Sequence, residues 1–437
     1  MTTRIERVAA WEILDSRGRP TVACEVVLTG GARASAGVPS GASTGRHEAH
    51  ELRDGGGRFG GYGVLRAVAN VETVLAGAVV GLDATDSAAV DRALIDVDGS
   101  ANLERTGANA ILAVSLAAGE AASAATGVPL YRFWSSGGEP CIPMPMINIF
   151  SGGAHAAGGV DIQDVLVIPI GATSFIEAIE WATRVRLTTA ALLEAEGHTA
   201  TLVADEGGFG AVLSSNRAAL ELVARAIDAA GLEGGTDVAL AVDVAATQLG
   251  GTQGYALARE ERFLSSSELV EEIASWKASL PLVSVEDPLG EDDWTGWRLA
   301  TQLLGDELQL VGDDLFATNH ARLERGATEG VANAILIKPN QIGTITDATG
   351  TLQRAQALGY GTIVSARSGE TEHSWVADLA VALRAGQIKI GSTMRGERTS
   401  KWNRLLKIEK DLGYGYFAGW HPAQASTHLD EMPETVA

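Results

Sequence analysis

Lysine is scarce in this 437-residue chain: six are present, and none precedes Lys277. Cysteine is scarcer, with only Cys24 and Cys141. Two thiols cannot build a disulfide framework, and they fit a reducing, cytoplasmic setting. No apolar run reaches the length of a membrane span, and the opening Met1–Leu14 lacks the apolar core of a secretion signal. Positive charge is short overall. The formal net charge of −22 argues against nucleic acid or an anionic membrane as the main partner. An anionic small molecule would have to be held against that field by metal ions and a few well-placed cations. The Gly-rich stretches Gly37–Gly45 and Gly55–Gly61 lack the Gly-Lys-Ser/Thr ending of a P-loop.

What is present is globular: 46% hydrophobic and 20% charged residues, in a chain long enough for two domains or a barrel with an appendage. Strand-period alternation runs over 5–14 and 21–28, with a turn at Asp15-Ser16-Arg17-Gly18 between. Helical patterning follows from about Gly63 to Thr126. The expected layout is a small α+β domain over 1–138 with a mobile loop at 37–45, a second domain over 139–425, and a polar tail over 426–437. The small, polar, Pro-ended segment 135–140 reads as the linker.

In the second domain, short apolar runs alternate with amphipathic helical stretches. The runs are 238–243, 282–286, 308–313, 334–338, 362–366 and 387–389. Their β-branched character indicates strands buried on both faces, as in parallel βα units, and the expected class is an α/β barrel. Barrel active sites assemble at the C-terminal ends of strands. Asp243, Glu286 and Asp313 close three successive runs there, where three bare carboxylates would repel one another. A divalent cation resolves that, and all-oxygen donors favour Mg²⁺ or Mn²⁺ over zinc. The plainer alternative is that each acid caps a helix or faces solvent. Lys338 and Lys389 also end runs. At a crowded mouth near a cation, the ammonium form is disfavoured and the amine can act as a base; a simple ion pair with a carboxylate is the alternative.

The ordered motifs resemble the enolase family from about residue 4 to 417. They include Ile13-Leu-Asp-Ser-Arg-Gly-Arg-Pro-Thr-Val22, Pro39-Ser-Gly-Ala-Ser-Thr-Gly45, Ala204-Asp-Glu-Gly-Gly-Phe209, Ser284-Val-Glu-Asp-Pro288, Val311-Gly-Asp-Asp-Leu315, Lys338-Pro-Asn-Gln-Ile-Gly-Thr344, Arg367-Ser-Gly-Glu-Thr-Glu372 and Gln387-Ile-Lys389. The resemblance implies an enolase-type (β/α)8 barrel behind a smaller α+β domain, two Mg²⁺ per site, and a homodimer. It implies that Asp243, Glu286 and Asp313 hold the first metal and Ser43 the second. Lys338 would take the proton next to the substrate carboxylate, Lys389 would steady the enolate, and Glu206 would be the general acid. Arg367 and Ser368 would bind phosphate, and His155 would close over the ligand on a Gly-rich loop. The implied conversion is 2-phosphoglycerate to phosphoenolpyruvate.

Four matched places depart from the family pattern. Gln163-Asp164 replaces Gln-Glu, Ala366 replaces a histidine before Arg367, Ser151 replaces an asparagine, and Ala245-Ala-Thr-Gln-Leu249 replaces AASEF. Asp164 loses ~1.5 Å of reach, and Ala366 leaves room and no donor. Intact enolate machinery beside an altered leaving-group side suggests a specialised relative, such as the carboxyphosphonoenolpyruvate synthases of phosphonate antibiotic pathways, with a second phosphonate cosubstrate. An ordinary glycolytic enolase and a non-catalytic binding protein on this fold are the alternatives.

Overall fold

The computed structural model describes residues 2–42, 44–135 and 137–421. Ser43 and the tail over 426–437 lie outside the described residues. Strands β1 (Ile5–Leu14), β2 (Pro20–Leu28) and β3 (Arg33–Gly37) form an antiparallel sheet in that order. The β1–β2 turn is fixed by Asp15, whose Oδ1 accepts the backbone N–H groups of Arg17 and Arg19 at 2.8 Å each. The helix Ala108–Thr126 packs on β2 and β3. Contrary to the sequence-based expectation, this helix is long and apolar enough to cross a membrane, but 78% of its apolar window is buried inside the fold. Its many alanines raise hydropathy without bulk, which suits close packing against a sheet.

Eight strands then close a barrel: β4 (Met144–Ser151), β5 (Asp164–Ile168), β6 (Ala239–Asp243), β7 (Leu282–Glu286), β8 (Gln309–Gly312), β9 (Ala334–Ile337), β10 (Gly361–Ser365) and β11 (Gln387–Gly391). The order around the wall is β7-β8-β9-β10-β11-β4-β5-β6. The six predicted runs are β6 to β11. The expectation of parallel units needs one correction, because β5 runs antiparallel to both β4 and β6. Loop 152–163 carries no crossover helix, so the chain turns straight back, as only an antiparallel pair allows. Asp164 therefore begins its strand, yet it stands at the same mouth as the C-terminal ends of the others, paired in register with Ser151 and Asp243.

Met144, Met146, Leu166, Ile168, Ala241, Val311, Ala334, Leu336 and Ile363 form a separate apolar cluster that fills the barrel beneath the mouth. The small domain docks over that mouth. Ser40 and Gly369 exchange backbone hydrogen bonds at 2.8 and 2.9 Å, and the Ser16 N–H donates to Glu370 O at 2.8 Å. Loop 37–45 thus starts from a strand and ends against the barrel.

Candidate active site at the barrel mouth

The strand ladder brings Asp243 and Glu286 side by side, as register partners on β6 and β7. Lys389, from β11, reaches across to both: its Nζ lies 2.8 Å from Asp243 Oδ2 and 2.6 Å from Glu286 Oε2. Lys338 forms an ion pair with Asp313 Oδ2. Asp313 Oδ1 accepts Gln341 Nε2 at 2.9 Å, and Gln163 Nε2 donates to Asp243 Oδ2 at 3.0 Å. Among the described residues, Asp313 clusters within 4.8 Å with Asp287 and Asp314, and not with Asp243 and Glu286. Asp287 is occupied structurally, since its two oxygens accept the backbone N–H groups of Asp313 and Asp314 at 3.0 and 2.8 Å.

This donor set suits a hard dication. All the ligand atoms offered are oxygens, and Glu286 Oε1 is buried without a hydrogen-bond partner among the described residues. Among the described residues, Asp243 Oδ1 accepts the Ala245 N–H, at 3.0 Å.

Each lysine is paired with a carboxylate, the alternative its place at a run end allowed. Burial opposes the charge on Lys338, but Asp313 outweighs it and leaves the amine above its ordinary pKa. For Lys389 burial is likewise outweighed, by Asp243 and Glu286, and the amine stands well above the usual value. Each is held in an ion pair with a carboxylate, which favours the ammonium form.

On the other side of the mouth, His155 stands between two carboxylates. Its Nδ1 is 2.9 Å from Asp164 Oδ2, and its Nε2 is 3.9 Å from Glu206 Oε1. Burial disfavours an imidazolium, but Asp164 and Glu206 reverse that and push the His155 pKa up to about 9. Burial also works against the Glu206 carboxylate, which His155, Arg398 and the two lysines hold below its ordinary pKa. Both shifts favour a charged His155 beside an ionised Glu206. The loop carrying Glu206 depends on glycine: Gly207 has φ +88°, and a Cβ on Gly208 would stand 2.7 Å from Ser151 Oγ.

The Arg367 guanidinium is held bidentately by Glu48, at 2.9 and 3.2 Å, with Asn340 Oδ1 at 3.1 Å. Ser368 Oγ accepts the Ala42 N–H at 2.6 Å, tying loop 37–45 to the barrel. His155, Gln163, Glu206, Lys338, Ala366, Arg367, Ser368 and Lys389 all line one internal cavity of about 20 Å³. That is about the space one water needs. Ala366 is only 5% exposed, and the room beside it is this one cavity, enough for a single water.

Three groups at the site were not picked out from sequence. Gln341 lies within the quoted Lys338–Thr344 motif, so its signal was available. Glu48 and Asn148 carried none, because their pairings join distant parts of the chain or depend on a loop closing back.

The sequence matches the enolase N-terminal domain over residues 5–134 and the enolase C-terminal TIM barrel domain over residues 139–426. With the small sheet domain, the mixed eight-stranded barrel and the carboxylate–lysine mouth in place, the chain belongs to the enolase family.

Proposed function

We propose that this protein is a Mg²⁺-dependent lyase that forms an enolate from 2-phosphoglycerate or a close analogue and releases an enolpyruvate. Enolases are typically hydro-lyases, usually Mg²⁺-dependent, acting on phosphorylated carboxylic acids. The observation that carries the reading is that Lys338, paired with Asp313, and Lys389, paired with Asp243 and Glu286, line one cavity at the mouth. Asp243, Glu286 and Asp313 would hold one Mg²⁺, and Ser43 would contribute to a second. Bound there, the ions supply positive charge that acidifies the proton beside the substrate carboxylate.

Lys338 accepts that C2 proton once its Nζ has shed the proton it now shares with Asp313. The Lys389 ammonium faces the charge that develops on the carboxylate. Arg367 and Ser368 take the phosphate, with the Arg367 fork turning from Glu48 to the substrate. The C3–O bond then breaks as C2=C3 forms, and the departing hydroxyl leaves as water. Its proton comes from His155 through Glu206. Gln163 keeps Asp243 in place, and Ala366 forms the wall beside the departing group. The chain divides at about residue 138, and it works as a homodimer, as the family pattern suggests.

The leaving-group side, with Asp164 and Ala366, favours a specialised relative with a second, phosphonate-bearing substrate. One observation favours the ordinary reaction instead: the cavity beside Ala366 has room for one water, which could replace the absent imidazole donor. Purified protein with Mg²⁺ and 2-phosphoglycerate separates the two readings. Exchange of the C2 hydrogen in D₂O with little phosphoenolpyruvate supports the specialised reading, whereas fast phosphoenolpyruvate formation supports the ordinary one. Absence of exchange sinks the enolate proposal itself.

A further inference from the structure

We propose that Ser151 is a positioning residue for His155, acting with Asn148 through Asp164. The inference rests on the His155 role given above. Ser151, Asn148 and Asp164 are all fully buried. Asp164 Oδ1 accepts from Ser151 Oγ at 2.8 Å and also from Asn148 Nδ2. Asn148 Nδ2 reaches Ser151 Oγ at 3.1 Å, so the three side chains satisfy one another. Oδ2 is thereby left for His155 Nδ1.

The same trio supports the other neighbour of His155. Gly208 lies against Asn148 and Ser151, and the Ser151 N–H donates to Phe209 O at 2.8 Å. The backbone that carries Glu206 therefore rests on the group that fixes Asp164. Two departures from the family pattern, Ser151 and Asp164, touch directly. A shorter acid needs a support that meets it where it ends, and a serine hydroxyl at 2.8 Å does so.

The test follows the His155 Nδ1–H proton by NMR, assigned by its disappearance in His155→Gln, alongside turnover of 2-phosphoglycerate. Ser151→Ala should move or broaden that resonance and lower product formation about tenfold, the worth of one hydrogen bond. C2 exchange should fall less than product formation does. In an Asp164→Asn background, Ser151→Ala should add nothing, because its effect passes through Asp164. Ser151→Cys, which keeps the volume and weakens the donor, should fall between, and it carries the test if the alanine variant does not fold. An unmoved resonance, or an equal loss in both backgrounds, overturns the proposal. Wild-type protein that exchanges no C2 hydrogen counts against the enolate reading alone, and the NMR comparison still decides the role of Ser151.

Discussion

The two sides of the barrel mouth are built by different means. On the proton-abstracting side the charged groups are carried by strands: Asp243 and Glu286 end theirs, Asp313 and Lys338 stand one residue past theirs, and Lys389, expected to end its run, lies in the middle of Gln387–Gly391. Ladder hydrogen bonds fix where those side chains start. On the leaving-group side, His155 and Glu206 come from loops, and only Asp164 belongs to a strand. Their positions depend on side-chain hydrogen bonds and on glycine. Three of the four departures, Ser151, Asp164 and Ala366, lie on that second side. A network of short side chains can close again around a changed member, whereas five charges fixed by a ladder cannot.

The sharpest way to break this comparison is to remove the base. Lys338→Ala should slow C2 hydrogen exchange by about 10²–10⁴-fold, the range for a positioned acid–base group. Exchange at the wild-type rate would move proton abstraction to the other side of the mouth. Next in size is Lys389→Met. It strands Asp243 and Glu286, both 2% exposed, without their shared cation. Removing one member of such a buried pair costs about 3–5 kcal/mol. Urea unfolding in the presence of a chelator would read this, and added Mg²⁺ should restore part of the loss. A cost below about 1 kcal/mol would mean the two carboxylates do not depend on Lys389.

The leaving-group side should declare itself through pH. With its pKa raised to about 9, His155 binds a proton more tightly in the folded chain than in the unfolded one. Its contribution is complete below the unfolded value of about 6.5 and disappears as pH rises through about 9. Over that window, unfolding free energy should fall by up to about 3 kcal/mol, and His155→Gln should flatten the slope. A slope unchanged in the variant would place the titration elsewhere. Ala366→His should cost about 1–3 kcal/mol by overpacking, because the cavity is only about 20 Å³. A thermally neutral histidine there would show that the wall is more yielding than its packing implies.

Much of the first side was legible in the sequence. β-Branched runs ending in, or just before, a charged or small polar residue named six of the eight barrel strands, and strand ends in a barrel share one mouth. The reversal of β5 was not legible, because four apolar residues after an acid, as in Asp164–Ile168, carry no mark of direction. Nor were the partners of the lysines. Which carboxylates each lysine meets depends on pairings across the barrel, and for Lys389 they are Asp243 and Glu286, at 2.8 and 2.6 Å. The Glu48–Arg367 pair spans 319 positions and belongs to the docking of two domains, which no local pattern encodes.

The smallest predicted effect sharpens the contrast within the docked loop itself. Arg46 and Glu48 both reach the barrel from the end of that loop. The Glu48–Arg367 pair is buried, with side chains 7% and 3% exposed, while the Arg46 side chain is 73% exposed. Arg46 meets Glu291 at 2.7 Å through its guanidinium, but its backbone N–H also donates to Glu291 Oε2 at 2.9 Å. Arg46→Ala removes only the first of these, so Glu291 keeps a donor, and the melting temperature should barely move. A larger loss on thermal melting would mean that the exposed guanidinium, rather than the buried Glu48, holds the small domain's loop on the mouth.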